Sequence, residues 1–214
     1  MTERVTLFYA PQSRATGALA LMEELGVPYE IEHVDIRQEG GVPESYRKVQ
    51  PNKKVPAIEH DGVVVTERAA IAIYLCDAFS EAGLAPKVGE KERGPYLTWL
   101  VYADAVFDPA VAVNALGGKY PGNSVSFGTF DDLVANLERR LQQSPFIAGE
   151  RFTAADVAMG GNIAYVMSQT WLPEKPVFAD YVKRVTDRPA AKRAEEKDKA
   201  MAMKVPAFKA MFGR

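Results

Sequence analysis

The chain of 214 residues has very little cysteine or histidine, and this scarcity excludes several kinds of site. Its single cysteine, Cys76, rules out an internal disulfide framework, a CxxC redox pair and a cysteine-rich zinc site. With only two histidines, His33 and His60, a histidine-rich metal site is not expected either. We therefore expect no protein-bound metal. Cys76 is interpreted as a small core residue, and the two histidines as surface or strand-edge residues.

An excess of charge of one sign is also missing. The 26 basic and 28 acidic residues give a net charge of -2, so the composition does not indicate a nucleic-acid partner. No uncharged apolar run is long enough to cross a bilayer, and we expect no membrane partner. The first residues lead into a strand-like pattern without the apolar core of a signal peptide, which predicts a cytoplasmic protein.

The residues from Val5 to Phe79 alternate between the hydrophobic periods of strands and helices. The predicted order is strand, helix and strand, followed by a two-stranded hairpin and a second helix. Asp61-Gly62 is a strong signal for the hairpin turn, and Gly26-Val27-Pro28 ends the first helix. This order predicts a small mixed sheet with helices packed on it.

The rest of the chain shows helical spacing and no convincing strand. Residues 80–87 contain Gly83 and Pro86 and are predicted to be a linker. The sequence thus predicts a mixed α/β domain at residues 1–79 and an all-α domain at residues 88–214. Within the second domain, residues 153–156 have the spacing of a helix capping box.

The turn between the first strand and the first helix carries Ser13, followed by Arg14. Two interpretations of Ser13 stay open. It could be an N-cap residue whose hydroxyl accepts a hydrogen bond from a free helix N–H. It could also present a hydroxyl donor to an anion, since a helix N-terminus favours negative charge and lowers the pKa of a thiol. Lowering that pKa by two units requires roughly 2.7 kcal/mol of preferential thiolate stabilisation.

Two further segments could hold a ligand. Pro56 opens a strand, and the Val55–Pro56 bond is either cis or that of an ordinary proline at a strand start. A cis bond would turn the backbone of Val55 toward the open edge of the sheet, where an extended peptide-like ligand could pair with it. Glu67 and Arg68 begin a helix directly after a strand. A carboxylate there either complements the helix dipole or holds the ammonium group of a ligand.

Taken together, these motifs resemble the cytosolic glutathione transferases over nearly the whole chain. Each motif is weak or moderate alone, whereas their order and spacing are highly specific. The motifs are the Ser13 turn, Asn52-Lys53-Lys54-Val55-Pro56-Ala57, Glu67 with Ala70-Ile71 and Tyr74-Leu75, Phe152-Thr153-Ala154-Ala155-Asp156, and Tyr181–Val185 followed by Arg188-Pro189-Ala190. The resemblance implies a thioredoxin-like N-terminal domain, an all-helical C-terminal domain, glutathione as co-substrate and a homodimer.

The resemblance also implies roles for individual residues. Ser13 looks like the serine of the serine-type classes, which donates a hydrogen bond to the glutathione sulfur. Val55 looks like the residue whose backbone pairs with the cysteinyl portion, ahead of a cis Pro56. Glu67 looks like the acidic residue that binds the γ-glutamyl group, and Lys54 lies where the family often has a polar side chain near the glycyl end.

Two positions depart from the family's pattern. The family commonly has a serine after its acidic residue, whereas this chain has Arg68, which either binds the γ-glutamyl carboxylate or points away from it. Bacterial classes with a cysteine in the first turn have it one position after Ser13, where this chain has Arg14. A protein cysteine nucleophile is therefore missing from this turn, and Arg14 is a second candidate for stabilising the thiolate.

The resemblance implies a glutathione transferase that attacks small electrophiles. One alternative is glutathione-dependent reduction of a disulfide or peroxide, since a serine-type site would look much the same. Another is a non-catalytic binding module on this fold, which Arg68 favours. A generic thioredoxin-like reductase is disfavoured by the absence of a CxxC motif. Tyr102, Phe107 and Tyr165 are candidates for lining the second-substrate pocket.

Overall fold

The computed structural model of the chain describes residues 4–206 and residue 208. The chain forms two compact units, one of Met1–Ala82 with Pro189–Arg214 and the other of Gly83–Arg188. The first unit contains a sheet with helices packed on it. The second unit, which the structure describes completely, contains helices and loops but no strand. The predicted class, a thioredoxin-like domain with an all-helical part, is confirmed.

The sheet of the first unit has four strands in the order β2-β1-β3-β4. These strands are β1 (Val5–Tyr9), β2 (Tyr29–His33), β3 (Ala57–His60) and β4 (Val63–Thr66). The pair β1 and β2 is parallel, whereas β3 is antiparallel to both β1 and β4. A parallel pair needs a crossover connection, and the first helix supplies it. The mixed sheet that the alternating pattern predicted is therefore present.

Eight α-helices lie among the described residues. They are α1 (Thr16–Leu25), α2 (Arg68–Ala78), α3 (Arg93–Tyr102), α4 (Asp108–Ala115), α5 (Phe130–Gln143), α6 (Ala154–Ser168), α7 (Pro176–Thr186) and α8 (Pro189–Ala202). Short 3-10 turns occur at Glu44–Lys48, Ser80–Ala82 and Gly122–Ser124. The helices α3 to α7 belong to the second unit, whereas α1, α2 and α8 belong to the first.

A π-helical turn, Ala103–Phe107, joins α3 to α4 in one continuous helical run. By length and composition alone, the run Arg93–Ala115 could cross a membrane. Its large apolar residues Tyr96 and Leu100 are buried inside the protein, and α3 packs on α6. The run is therefore packed in the second unit along part of its surface, and 39% of its most apolar 18-residue window is buried.

The predicted capping box at the start of α6 is present and extends into a buried network. The Asp156 carboxylate accepts hydrogen bonds from the backbone N–H groups of Ile147 (2.7 Å) and Thr153 (2.9 Å) and from the Tyr181 hydroxyl (2.9 Å). Burial raises the pKa of Asp156, while these hydrogen bonds oppose the rise. The network fixes the start of α6 against α7 and the loop before it.

The last described helix, α8, packs along α1 in the first unit. Glu23 of α1 is buried, and its carboxylate binds Arg193 at 2.8 Å and also Lys197, both on α8. The sequence division placed this helix in the second domain because it follows the other helices along the chain. Packing instead groups α8 with the sheet, since these ion pairs and the contacts with α1 join it to the first unit.

The prediction that His60 lies at the surface or on an edge strand is wrong. His60 lies on the inner strand β3 and is only 7% exposed; its Nδ1 atom is 3.1 Å from the Tyr74 hydroxyl, and its ring packs against Phe79. Inner strands are flanked on both sides, which the alternation of a short strand cannot reveal. His33 is exposed, and Cys76 is buried on α2, as the sequence predicts.

The ion pairs of Glu23 with Arg193 and Lys197, which form an anchor between α1 and α8, make the stability of the first unit depend on pH. Burial alone would raise the pKa of Glu23, but hydrogen bonds from Lys197, Tyr29 and Arg193 lower it to about 2. Because the folded pKa lies below that of the unfolded chain, these ion pairs contribute at most about 3 kcal/mol above about pH 5, reduced by solvent screening at the half-exposed Arg193 and Lys197. This contribution is lost as the pH falls toward 2.

We therefore expect Glu23→Gln to lower the free energy of unfolding by about 2–3 kcal/mol at about pH 7, and by much less at about pH 3. Urea denaturation at both pH values measures this difference. Glu195→Gln is the matched control, since Glu195 forms an exposed ion pair with Lys199 on α8, and it should change stability by less than about 0.5 kcal/mol. Equal effects of the two substitutions at neutral pH would contradict the prediction.

Candidate active site

Ser13 lies in the turn between β1 and α1, two residues before the N-cap residue Ala15. Its hydroxyl donates a hydrogen bond to the Ala10 carbonyl (2.7 Å) and accepts one from the Ala15 N–H (3.1 Å). The N-cap prediction is therefore wrong by two positions, although Ser13 still bonds a backbone N–H at the helix start. A hydroxyl has one donor and two acceptor sites, so Ser13 can rotate its proton toward a ligand and keep the bond from Ala15.

Unusual backbone conformations occur beside the predicted site residues. Five described residues other than glycine have positive φ, and three of them are Gln12 (φ 53°), Lys53 (φ 55°) and Glu67 (φ 68°). Gln12 directly precedes Ser13, Lys53 precedes Lys54, and Glu67 is itself a predicted site residue. Such conformations cost on the order of 1–3 kcal/mol each and persist only where surrounding contacts enforce them. Their positions indicate that the site segments are held in specific shapes.

The Val55–Pro56 peptide bond is cis, which decides between the two interpretations of this proline. The ladder between β1 and β3 ends with the pair Phe8 and Ala57. Val55 therefore lies beyond the last paired residue of β3, at the end of the strand. This is where the sequence predicts a backbone that can pair with an extended ligand.

The two neighbouring lysines have different surroundings. The Lys53 ammonium binds the Val42 carbonyl (2.9 Å) and the Glu44 carboxylate (2.7 Å), so it ties down the loop that precedes β3. Lys54 instead has an exposed side chain, while its backbone N–H donates to the Gln50 side chain at 3.0 Å. Of the two, Lys54 is the lysine whose charge is directed to the surface beside Val55.

Glu67 lies at the N-terminus of α2, directly after β4. Its carbonyl accepts the hydrogen bond from Ile71 N–H (2.9 Å), whereas its exposed side chain does not cap the helix. Arg68 is the first residue of α2 and is half-buried. The helix start therefore combines a surface carboxylate, an adjacent guanidinium and the positive end of the helix dipole.

Strand register brings the three predicted segments to one end of the sheet. Phe8 of β1 pairs with Ala57 of β3, and Ala57 pairs with Thr66 of β4. The chain leaves β1 toward Ser13, enters β3 from Val55 and leaves β4 toward Glu67. All three segments therefore lie at the same end of the sheet, where one extended ligand could contact all of them.

The candidates for the second-substrate pocket lie in different surroundings of the second unit. Tyr102 is half-buried with its ring 4.8 Å from that of Trp99, and burial raises its pKa. Tyr165 is 46% exposed, and its ring meets that of Trp171 edge-on. Phe107 is fully buried in the π-helical turn. The structure therefore assigns Phe107 to the core, because a wholly buried ring presents no surface to a ligand.

The site contains no protein thiol. Cys76 is the single cysteine of the chain and is buried on α2. Among residues 4–206 and 208, no group of three or more His, Cys, Asp or Glu side chains could hold a metal ion. A nucleophilic sulfur at this site would therefore have to come from a ligand.

Sequence reasoning missed the residues that support the Ser13 turn. Asp198 of α8 is buried, and its carboxylate accepts hydrogen bonds from the Tyr9 hydroxyl and from Gln12. The spacing of Asp198 could have indicated its burial, because Asp198 lies four residues from the buried Ala194 in a helix whose exposed face is highly charged. That spacing places Asp198 on the packed face, where a lone acid needs partners.

The chain is similar to several known proteins. Residues 13–78 match the model of the glutathione S-transferase N-terminal domain. Over 218 residues the chain is 29% identical to glutathione S-transferase 3 of Schizosaccharomyces pombe, covering 90% of this chain and 87% of that protein. It is 25% identical to the disulfide-bond oxidoreductase YfcG of Escherichia coli, covering 89% of this chain and 94% of that protein.

A solved structure of a sphingomonad glutathione S-transferase, complexed with glutathione, is also similar. It is 25% identical to this chain, with a TM-score of 0.74, and the match covers 91% of this chain and 98% of that one. The similarities thus extend through both units and include the sheet that carries the three segments. The matched N-terminal domain, the curated relatives and the solved structure together support a cytosolic glutathione transferase family for this chain.

Proposed function

We propose that the protein is a serine-type glutathione transferase whose first unit binds glutathione and holds its sulfur as a thiolate. The supporting observation is the convergence of the segments at Ser13, Val55 and Glu67 on one end of the sheet. Glutathione is an extended tripeptide with an ammonium group near one end, a carboxylate at the other and a thiol between them. Each of these ligand groups has a residue of complementary chemistry at this end of the sheet: Glu67 for the ammonium, Ser13 for the thiol and Lys54 for the carboxylate.

Each group of the ligand has a partner in this proposal. The backbone of Val55 pairs with the cysteinyl portion, as in strand addition, because Val55 lies beyond the ladder. The Glu67 carboxylate binds the γ-glutamyl ammonium, and Arg68 binds the γ-glutamyl carboxylate in place of the family's serine. The exposed Lys54 ammonium attracts the glycyl carboxylate.

The reaction begins with the thiolate. Ser13 donates its hydroxyl proton in a hydrogen bond to the sulfur, and the Arg14 charge and the N-terminus of α1 add electrostatic stabilisation. The thiol proton leaves to solvent when the sulfur ionises. The thiolate then forms a carbon–sulfur bond with an electrophilic carbon, and the leaving group departs with its electron pair. Holding both substrates side by side on the protein also accelerates the reaction, because the reacting atoms are already close together.

A second candidate is the reduction of disulfides. The similarity to a protein named as a disulfide-bond oxidoreductase favours it, and the serine-type turn without a cysteine is compatible with either reaction. The glutathione thiolate would attack a disulfide sulfur, releasing one thiolate and forming a mixed disulfide. A second glutathione would resolve that product to oxidised glutathione. Turnover of an aryl halide with no turnover of a mixed disulfide favours transfer, and the reverse favours reduction.

We propose that Tyr102 and Tyr165 line the pocket for the second substrate, and that the protein acts as a homodimer in the cytoplasm without a metal. The family resemblance supports the dimer, and the exposed Val63 and Val64 on the edge strand β4 offer apolar surface for association. Sedimentation at several protein concentrations measures the oligomeric state.

Ser13→Ala tests the thiolate assignment. The variant loses the hydroxyl donor, so the pKa of bound glutathione should rise by about one unit and kcat/KM near neutral pH should fall by about tenfold or more. Ultraviolet absorbance of the bound thiolate against pH measures the first change. Ser80→Ala replaces an exposed serine outside the site and should change neither value. Unchanged values for Ser13→Ala would transfer the role to Arg14 or to a backbone N–H.

Glu67→Gln tests the recognition of the γ-glutamyl group. Removing the carboxylate's charge should weaken glutathione binding by about tenfold, because a charge-assisted hydrogen bond becomes a neutral one. Titration calorimetry measures the dissociation constant. Glu59→Gln removes the same charge from an exposed position on β3 and should bind glutathione normally. Equal affinities of the two variants would contradict the assignment.

A further inference from the structure

We propose that Asp198 of α8 is a positioning residue for the turn that carries Ser13, an inference that rests on the proposed function. Asp198 is separated from the turn by more than 180 residues of sequence and touches it directly. The inference gives the last described helix a part in setting the pKa of bound glutathione. No contact between Asp198 and the ligand is required.

The contacts of Asp198 are concentrated on one residue of the turn. One carboxylate oxygen accepts the Gln12 backbone N–H at 3.0 Å and also the Tyr9 hydroxyl. The other oxygen accepts a hydrogen bond from the Gln12 side-chain amide. Two of the three hydrogen bonds thus hold the residue that immediately precedes Ser13.

Gln12 is also held from its other side. The Arg37 guanidinium donates hydrogen bonds to the carbonyls of Pro11 (3.2 Å) and Gln12 (2.9 Å). Gln12 has a φ of 53°, a conformation that side chains other than glycine rarely adopt without enforcement. Asp198 at its N–H and Arg37 at its carbonyl supply that enforcement. The direction in which the chain enters Ser13 follows from it.

Burial makes the carboxylate dependent on these donors. Asp198 is only 5% exposed, and a buried carboxylate is stable only when hydrogen bonds replace its water. Burial, followed by the hydrogen bond to Asp198, raises the pKa of Tyr9 well above its usual range. The Tyr9 hydroxyl therefore keeps its proton and donates it. A carboxylate with three donors fixes the turn more firmly than a side chain with a single acceptor could.

Contacts other than those of Asp198 also attach α8 to the first unit. Glu23 binds Arg193 and Lys197 on a different face of the helix and holds it against α1. A purely structural role for Asp198 would therefore duplicate an existing anchor. The contacts with Gln12 instead connect the helix to the one turn where a displacement would move the Ser13 hydroxyl relative to a sulfur.

Asp198→Asn in the full chain tests the inference. The amide keeps the shape but has a single acceptor oxygen, so at least one bond to Gln12 or Tyr9 is lost. We expect the pKa of bound glutathione to rise by about half a unit to one unit, with glutathione affinity near neutral pH lower by about three- to tenfold. Thiolate absorbance against pH and titration calorimetry give the two values.

Two substitutions separate positioning from a general effect. Glu196→Gln removes one charge from an exposed position on the same helix and should leave the thiol pKa unchanged. Glu23→Gln weakens the packing of α8 without touching the turn, so it should lower the melting temperature and leave the thiol pKa unchanged. If Asp198→Asn does not fold, Gln12→Ala removes the amide contact from the exposed side and should shift the pKa in the same direction.

The outcomes are distinguishable. A folded Asp198→Asn protein with the wild-type thiol pKa overturns the inference, as does an equal pKa shift in Glu23→Gln, and so does a wild-type thiol pKa in Gln12→Ala if that variant is needed. A wild-type protein that shows no binding heat with glutathione overturns the proposed function, and this inference with it. A shift confined to Asp198→Asn and Gln12→Ala supports both.

Discussion

The pairing of Phe8 with Ala57, and of Ala57 with Thr66, sets where the residues of the proposed glutathione site can lie. Because β3 runs antiparallel to both of its neighbours, the end of β1, the start of β3 and the end of β4 coincide. A shift of one residue in either ladder would turn the flanking side chains to the opposite face. The turn of Ser13 and the helix start at Glu67 owe their common location to that register.

The chain stabilises these segments with contacts from distant parts of the sequence. Lys53 binds a carbonyl and a carboxylate of the preceding loop, Arg37 binds the carbonyls of the Ser13 turn, and Asp198 returns from α8 to hold Gln12. Each of these contacts involves a residue with positive φ or lies next to one. Strained backbone therefore occurs where side-chain contacts restrain the chain. An active site with fixed donors is preorganised in this way, because its groups need little rearrangement when charge develops on a ligand.

Local patterns could predict the fold, whereas long-range contacts could not be predicted. The alternation of hydrophobic residues and the Asp61-Gly62 turn predict the sheet, because strand and hairpin signals act within a few residues. His60 and Phe107 were misplaced because apolar periodicity does not say whether a strand is central or whether an aromatic ring faces a core or a pocket. Asp198 carried a signal in its spacing from Ala194, but its partner Gln12 is too far along the chain for periodicity to reveal.

The central claim is that one tripeptide binds across all three segments with its sulfur beside Ser13. A crystal structure of the protein with glutathione measures this directly. We expect the sulfur to lie within hydrogen-bonding distance of the Ser13 hydroxyl, the cysteinyl backbone to pair with Val55 and the γ-glutamyl group to lie at Glu67. Glutathione bound elsewhere, or with its sulfur directed away from the Ser13 turn, would contradict the account.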